Sequence, residues 1–189
     1  LRFCKDKNTA RRIILIADSV PSSKLPSGIE FVKLSTKYIT EIKNNLPKLA
    51  FSGDFWINCS LRFFVLKDYV KKTQISKFFH AELDNAIFNL DLLSPIFDQK
   101  GKGIFVPRDS ESRAISSLIY CNRTESFKEL VNLYCNNKPP SNDMDALAIY
   151  ANNYPTYFHA LPTESFHLNS KLWDLIDPSD IYGIFDAAA

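Results

Sequence analysis

Glycine is scarce in this chain: there are five in 189 residues, none in a Gly-x-Gly-x-x-Gly or Walker pattern. That excludes the glycine-rich loops that cradle phosphate groups on backbone N–H donors. The four cysteines, Cys4, Cys59, Cys121 and Cys135, contain no Cys-x-x-Cys pair. Nothing in their spacing marks a disulfide framework, and the simpler expectation is a reducing compartment, the cytoplasm. No apolar run approaches the roughly 18 residues that span a membrane, and no signal-peptide pattern opens the chain. The formal net charge of +2 is too small to argue for a nucleic-acid partner. Arg11-Arg12 and Lys71-Lys72 are the only basic clusters of note, and both read as solvated element edges. Internal repeats and low-complexity segments are absent.

What is present suits an ordinary folded domain. The chain is 46% apolar, 13% aromatic and 23% charged, long enough to bury a core, and reads as one α/β domain over 1–189. Both ends look cut: the first residue is not Met, and Phe185 to Ala189 carries no helix stop signal. Ile13 to Ala17 reads as a buried parallel strand, followed by a Ser/Pro/Gly loop from Pro21 to Gly28 and a strand over Ile29–Leu34. Helical spacing joins Ile39, Ile42, Leu46 and Leu49, with Pro47 breaking it near its end. Asp54 can cap a longer helix whose apolar face is Phe55, Cys59, Phe63, Leu66 and Val70. A short helix is expected around Leu90, Leu93 and Phe97, then strands at Ile104–Val106 and Ile115–Tyr120. The polar Arg108–Arg113 segment lies between those strands. Asn122 and Glu125 have capping-box spacing, Asn142 can cap a helix with Met144, Leu147, Ala148 and Ala151 inward, and Tyr157–Leu161 is a last strand. This alternation predicts a mixed, mainly parallel sheet flanked by helices.

The densest chemistry is in Phe79-His80-Ala81-Glu82-Leu83-Asp84-Asn85. The apolar run Ile75–Phe79 reads as a buried strand that delivers two acids where it should end. In open α/β sheets the ligand crevice lies beyond the carboxyl ends of the strands. Two carboxylates there can hold a hard divalent cation, which in turn binds phosphate oxygens. The rival account makes Glu82 and Asp84 ordinary strand-end acids, with Asp84 or Asn85 capping the next helix.

The order strand, polar loop, strand, long helix, strand, Glu-x-Asp resembles a glycosyltransferase of the GT-A type. Four stretches carry the resemblance: Arg12–Asp18, Phe55-Trp56 through Arg62-Phe63-Phe64, the Glu82-Leu83-Asp84 segment, and Ser116–Asn122 with Asn142–Asp145 downstream. Together they cover roughly residues 11 to 160, and Glu82–Asp84 looks like the family's metal and nucleotide-sugar motif. The family's first strand and base-holding loop are not visible before Arg11.

The resemblance implies Asp84 on Mn²⁺ or Mg²⁺, with Glu82 on the metal, its water, or the donor's ribose or sugar. His167 would complete the metal shell. Arg62 would pair with the diphosphate of a nucleoside-diphosphate sugar through its planar fork. Asp143, ahead of Asp145, would be the base that takes the proton of an acceptor hydroxyl on a carbohydrate or other molecule if the reaction inverts. Each residue has a plainer reading: Asp143 and Asp145 as first-turn acids, Arg62 in a surface ion pair, His167 and His80 as packing or hydrogen-bonded histidines. Trp173 and Tyr182 could offer faces to a sugar ring, although Leu172, Trp173, Leu175 and Ile176 read more as a buried helix edge. The expected activity is metal-dependent glycosyl transfer. The alternatives are another metal-dependent nucleotidyl or phosphoryl transferase, which the missing glycine-rich loop weakens, and a non-catalytic module of the same fold.

Overall fold

A computed structural model describes residues 2–45, 54–83 and 90–163. In chain order the elements are α1 (Arg2–Lys7), β1 (Ile13–Ala17), β2 (Ile29–Lys33), α2 (Thr36–Asn45), α3 (Asp54–Thr73), β3 (Phe78–Ala81), α4 (Leu90–Lys100), β4 (Ile104–Ser110), β5 (Arg113–Ala114), β6 (Leu118–Cys121), α5 (Thr124–Asn132), α6 (Asp143–Asn153) and β7 (Phe158–Leu161). Short 3₁₀ turns follow α5 and precede β7.

The main sheet runs β3–β6–β4, with β5 and β7 both paired to β4. β3 and β4 are joined through α4, the arrangement that suggests parallel neighbours. Instead β6, returning from the β4–β5 hairpin, lies between them and is antiparallel to both. Among the described strands only β7 on β4 is a parallel pair in this sheet, so its pairing is mostly antiparallel, against the mainly parallel sheet expected. Alternation counts acids and apolar residues along a strand but carries no information about which strand is its neighbour. β1 and β2 form a separate parallel pair, with Ile13 opposite Ile29 and Ala17 opposite Lys33. β1 is half-buried, with Leu15 its one buried residue.

Strand pleating sorts the core into two layers. Phe78, Ile104, Val106, Ile119, Cys121, Phe158 and Ala160 turn to one face, where α3, α5 and α6 cover them with Phe63, Phe127, Leu130 and Leu147. Phe79, Phe105, Leu118, Tyr120 and Leu161 turn to the other, against Phe97 of α4. α3 packs on two sides, since Leu61 and Val65 also meet Ile42 of α2. Its buried apolar residues are therefore Leu61, Phe63, Val65 and Val70, while Phe55, expected inward, is 67% exposed.

Other local expectations shift. The third strand starts at Phe78 rather than Ile75, so Glu82 directly follows it. The polar segment after Val106 is the hairpin between β4 and β5. Arg11 is no solvated edge: it pairs with Asp91 and donates to Ser94 Oγ at 2.6 Å, fixing the start of β1 to α4. Leu46 and Leu49 lie outside the described residues.

Candidate functional site

Four elements converge beyond the carboxyl end of β3. Glu82 leaves the strand with its N–H still donating to Ser117 O at 3.1 Å, which prolongs the β3–β6 register by one residue. Ser116 stands just before β6 and is buried. Arg62 comes from the middle of α3, and Asp143 is the first residue of α6.

Arg62 joins them. One terminal nitrogen of its guanidinium, Nη1, donates to Glu82 Oε1, and Nη2 donates to Ser116 Oγ and to Asp143 Oδ2. The Ser116 hydroxyl also donates to Asp143 Oδ2. Both bonds to Asp143 thus end on one oxygen. Burial opposes the charge on Arg62, yet Asp143 and Glu82 together outweigh it and raise the guanidinium's pKa. Two carboxylates around one guanidinium leave the group with an excess negative charge. Exposure runs outward along the chain of contacts: the side chain of Asp143 is 3% exposed, Arg62 20% and Glu82 34%.

Two further groups feel this field. The His80 ring is pushed down to about 3, by burial first and then by the Arg62 cation, with Asp143 acting the other way. Its Nε2 is buried with no hydrogen-bond partner among the described residues, as is Nε of Arg62. The Cys59 thiol, one turn before Arg62, is pushed up by burial and then by Asp143.

The geometry also separates the two acids of α6. Asn142 caps the helix, its Oδ1 accepting from Asp145 N at 2.8 Å, while Asp145 Oδ2 accepts from Ser141 N at 2.7 Å. Asp145 is therefore spent on the helix start, and Asp143 is the one turned to Arg62. Asn122 does not cap α5, whose cap position is Arg123 without a side-chain bond. Asn122 Oδ1 accepts from Gly103 N at 2.8 Å, and its Nδ2 donates to Asp98.

Of the residues singled out from sequence, Arg62, Glu82 and Asp143 are brought together. Asp84, His167, Trp173 and Tyr182 lie outside the described residues. Ser116 was not singled out for chemistry; its one signal is a polar Ser-Ser pair opening an apolar strand. His159 belongs elsewhere, stacked on Phe105 with ring centroids 4.2 Å apart. A surface depression of about 560 Å³ lies along α2, lined by Thr36, Lys37, Thr40, Glu41 and Asn44. It shares no residue with the cluster and holds no comparable convergence of charge.

Searches against protein-family models, curated proteins and solved structures find no match for this chain. Among the described residues no three His, Cys, Asp or Glu side chains group as a cation shell. Glu82, the one expected metal ligand among them, is engaged by Arg62. The described residues by themselves therefore do not make a metal site. No helix among them is long and apolar enough to cross a membrane.

Proposed function

We propose that this chain is a glycosyltransferase domain of the GT-A type that takes a sugar from a nucleoside-diphosphate donor to an acceptor hydroxyl. The observation that carries the reading is the meeting of Arg62, Glu82 and Asp143, from three separate elements, at the carboxyl end of β3. Although the pairing is mostly antiparallel, β3, β4 and β7 run the same way, and the carboxyl ends of like-directed strands are where an open α/β sheet offers its ligand crevice. A diphosphate donor needs a cationic partner and its hydroxyl groups need fixed acceptors. Arg62 and Glu82 are of those types, with side chains 20% and 34% exposed against 3% for Asp143. Asp84, two residues beyond Glu82, is the carboxylate we assign to Mn²⁺ or Mg²⁺, an ion that neutralises charge on a departing diphosphate when bound.

A second reading, a non-catalytic module, draws on the same contacts. Arg62 already satisfies both carboxylates, and Asp143 is almost wholly enclosed, as in an ion-pair network that only ties α3, β3 and α6 together. Calorimetric titration of a panel of nucleoside diphosphates into the full-length protein, with and without Mn²⁺, separates the two. The transferase reading expects Mn²⁺-dependent binding of one nucleotide that disappears in Asp84→Ala. Absence of binding by the folded, full-length protein sinks it and leaves the non-catalytic module.

A further inference from the structure

Asp143 has the charge of a general base but not the surroundings of one. Its side chain is 3% exposed, and among the described residues its two side-chain bonds, from Arg62 Nη2 and Ser116 Oγ, meet on the same oxygen. A base must come within hydrogen-bond reach of the proton it removes. An enclosed carboxylate that grips a guanidinium does something else well: it fixes the direction of the planar fork. The far prong of that fork, Nη1, holds Glu82, whose side chain is 34% exposed at the mouth of the cluster.

We infer that Asp143 and Ser116 are positioning residues that act through Arg62, which in turn holds Glu82 in the orientation that meets the donor. The inference rests on the glycosyltransferase reading and names how its donor site is assembled. The order of action runs from the buried end outward. Ser116 and Asp143 anchor Nη2, the rigid guanidinium transmits their position across its plane, and Nη1 sets the carboxylate of Glu82. The contacts place one buried end at the starts of α6 and β6 and the more exposed end just beyond β3. Removing either anchor frees the fork to turn, and Glu82 loses its fixed orientation.

The test is the affinity for the nucleoside diphosphate product, measured by calorimetry in the presence of Mn²⁺. A base does not touch that product, so its loss leaves product affinity alone and lowers turnover. Loss of a positioning residue weakens the affinity itself. Ser116→Ala and Asp143→Asn are each expected to raise Kd about tenfold, the scale of a lost bond to a charged group. Ser116→Thr, which keeps the hydroxyl, is expected to stay within about twofold of the parent. The double variant Glu82→Gln with Asp143→Asn is expected to bind no worse than Glu82→Gln alone, because both changes break one chain of contacts.

Unchanged Kd in Ser116→Ala overturns the inference, whatever happens to its thermal midpoint. Unchanged Kd in Asp143→Asn with turnover reduced more than about a hundredfold overturns it in favour of a base. Should Asp143→Asn fail to fold, Ser116→Ala and its Thr counterpart decide alone. If the parent protein binds no nucleoside diphosphate, the inference falls together with the reading beneath it. Binding by the parent with no response in the variants removes the inference and leaves the reading standing.

Discussion

His80 lies on the same face of β3 as Phe78, turned toward α3, with its Nε2 buried and without a hydrogen-bond partner among the described residues. Burial, then the Arg62 cation, holds its ring near a pKa of about 3, against about 6.5 in an unfolded chain. A group whose pKa is lowered by folding keeps its full contribution above the unfolded value. Below about pH 6.5 the unfolded chain binds a proton that the folded one refuses, so stability falls as pH drops toward 3. At about 1.4 kcal/mol per unit, lowering pH from 7 to 5 should cost about 2 kcal/mol through this residue. Urea unfolding of the parent and of His80→Phe at both pH values checks it: the parent should lose more stability than the variant. Equal losses would mean that His80 takes up its proton in the folded protein without penalty. At this scale the sequence was informative where charge stands at an element end, as with Glu82 and Asp143, or off a helix's apolar face, as with Arg62. Each could be picked out by type and place, but not their common contact, which joins residues 81 positions apart. Ser116 was invisible as a partner because a serine before a strand is also an ordinary turn residue.

Elements were legible wherever their signal is local. Asn142 followed by Asp145 predicts a cap because both partners lie within one turn, and the capping bond forms. Asn122 and Glu125 have the same spacing, yet Asn122 is drawn to the backbone of Gly101 and Gly103 across the start of β4. Such a long-range claim on a side chain overrides a local preference. The face of α3 was misread for a related reason: a helix packed on two sides has no single apolar stripe. The seam between β4 and β7 gives this scale its prediction. Gly103 has φ +144°, and a Cβ there would stand 2.0 Å from the carbonyl oxygen of Tyr157. That oxygen is backbone and cannot rotate away. Gly103→Ala should therefore push β4 from the turn preceding β7 and destabilise the protein by about 2 kcal/mol or more. Chemical denaturation reads this directly, and a variant within about 0.5 kcal/mol of the parent would show that the two segments separate at little cost.

In the whole molecule the two sheets are unequal. The large one has helices over both faces and a core that takes in Phe63, Ile119, Phe127 and Leu147, each fully or almost fully enclosed. The β1–β2 pair rests on a much smaller cluster, Ile42, Leu61 and Val65, with Ile16 only partly covered. The α/β character of the molecule could be read from sequence, but the mostly antiparallel pairing of the large sheet could not, since the insertion of β6 between β3 and β4 depends on contacts distant in the chain. Regions with few buried apolar contacts open at lower free energy than the global transition. Amides of β1 and β2 should therefore exchange with solvent deuterium through a cheaper opening than those of β4 and β6. The shared helix makes the expectation sharper, because α3 offers Leu61 to the small cluster and Phe63 to the large one. Leu61→Ala should lower protection chiefly in β1 and β2. Phe63→Ala removes a fully buried ring, a change worth about 3–5 kcal/mol, and should lower protection throughout. Native-state exchange resolved by residue tests both substitutions. Equal protection across the two sheets, falling together in Leu61→Ala, would show one cooperative unit bound through α3 rather than a small sheet that opens on a larger one.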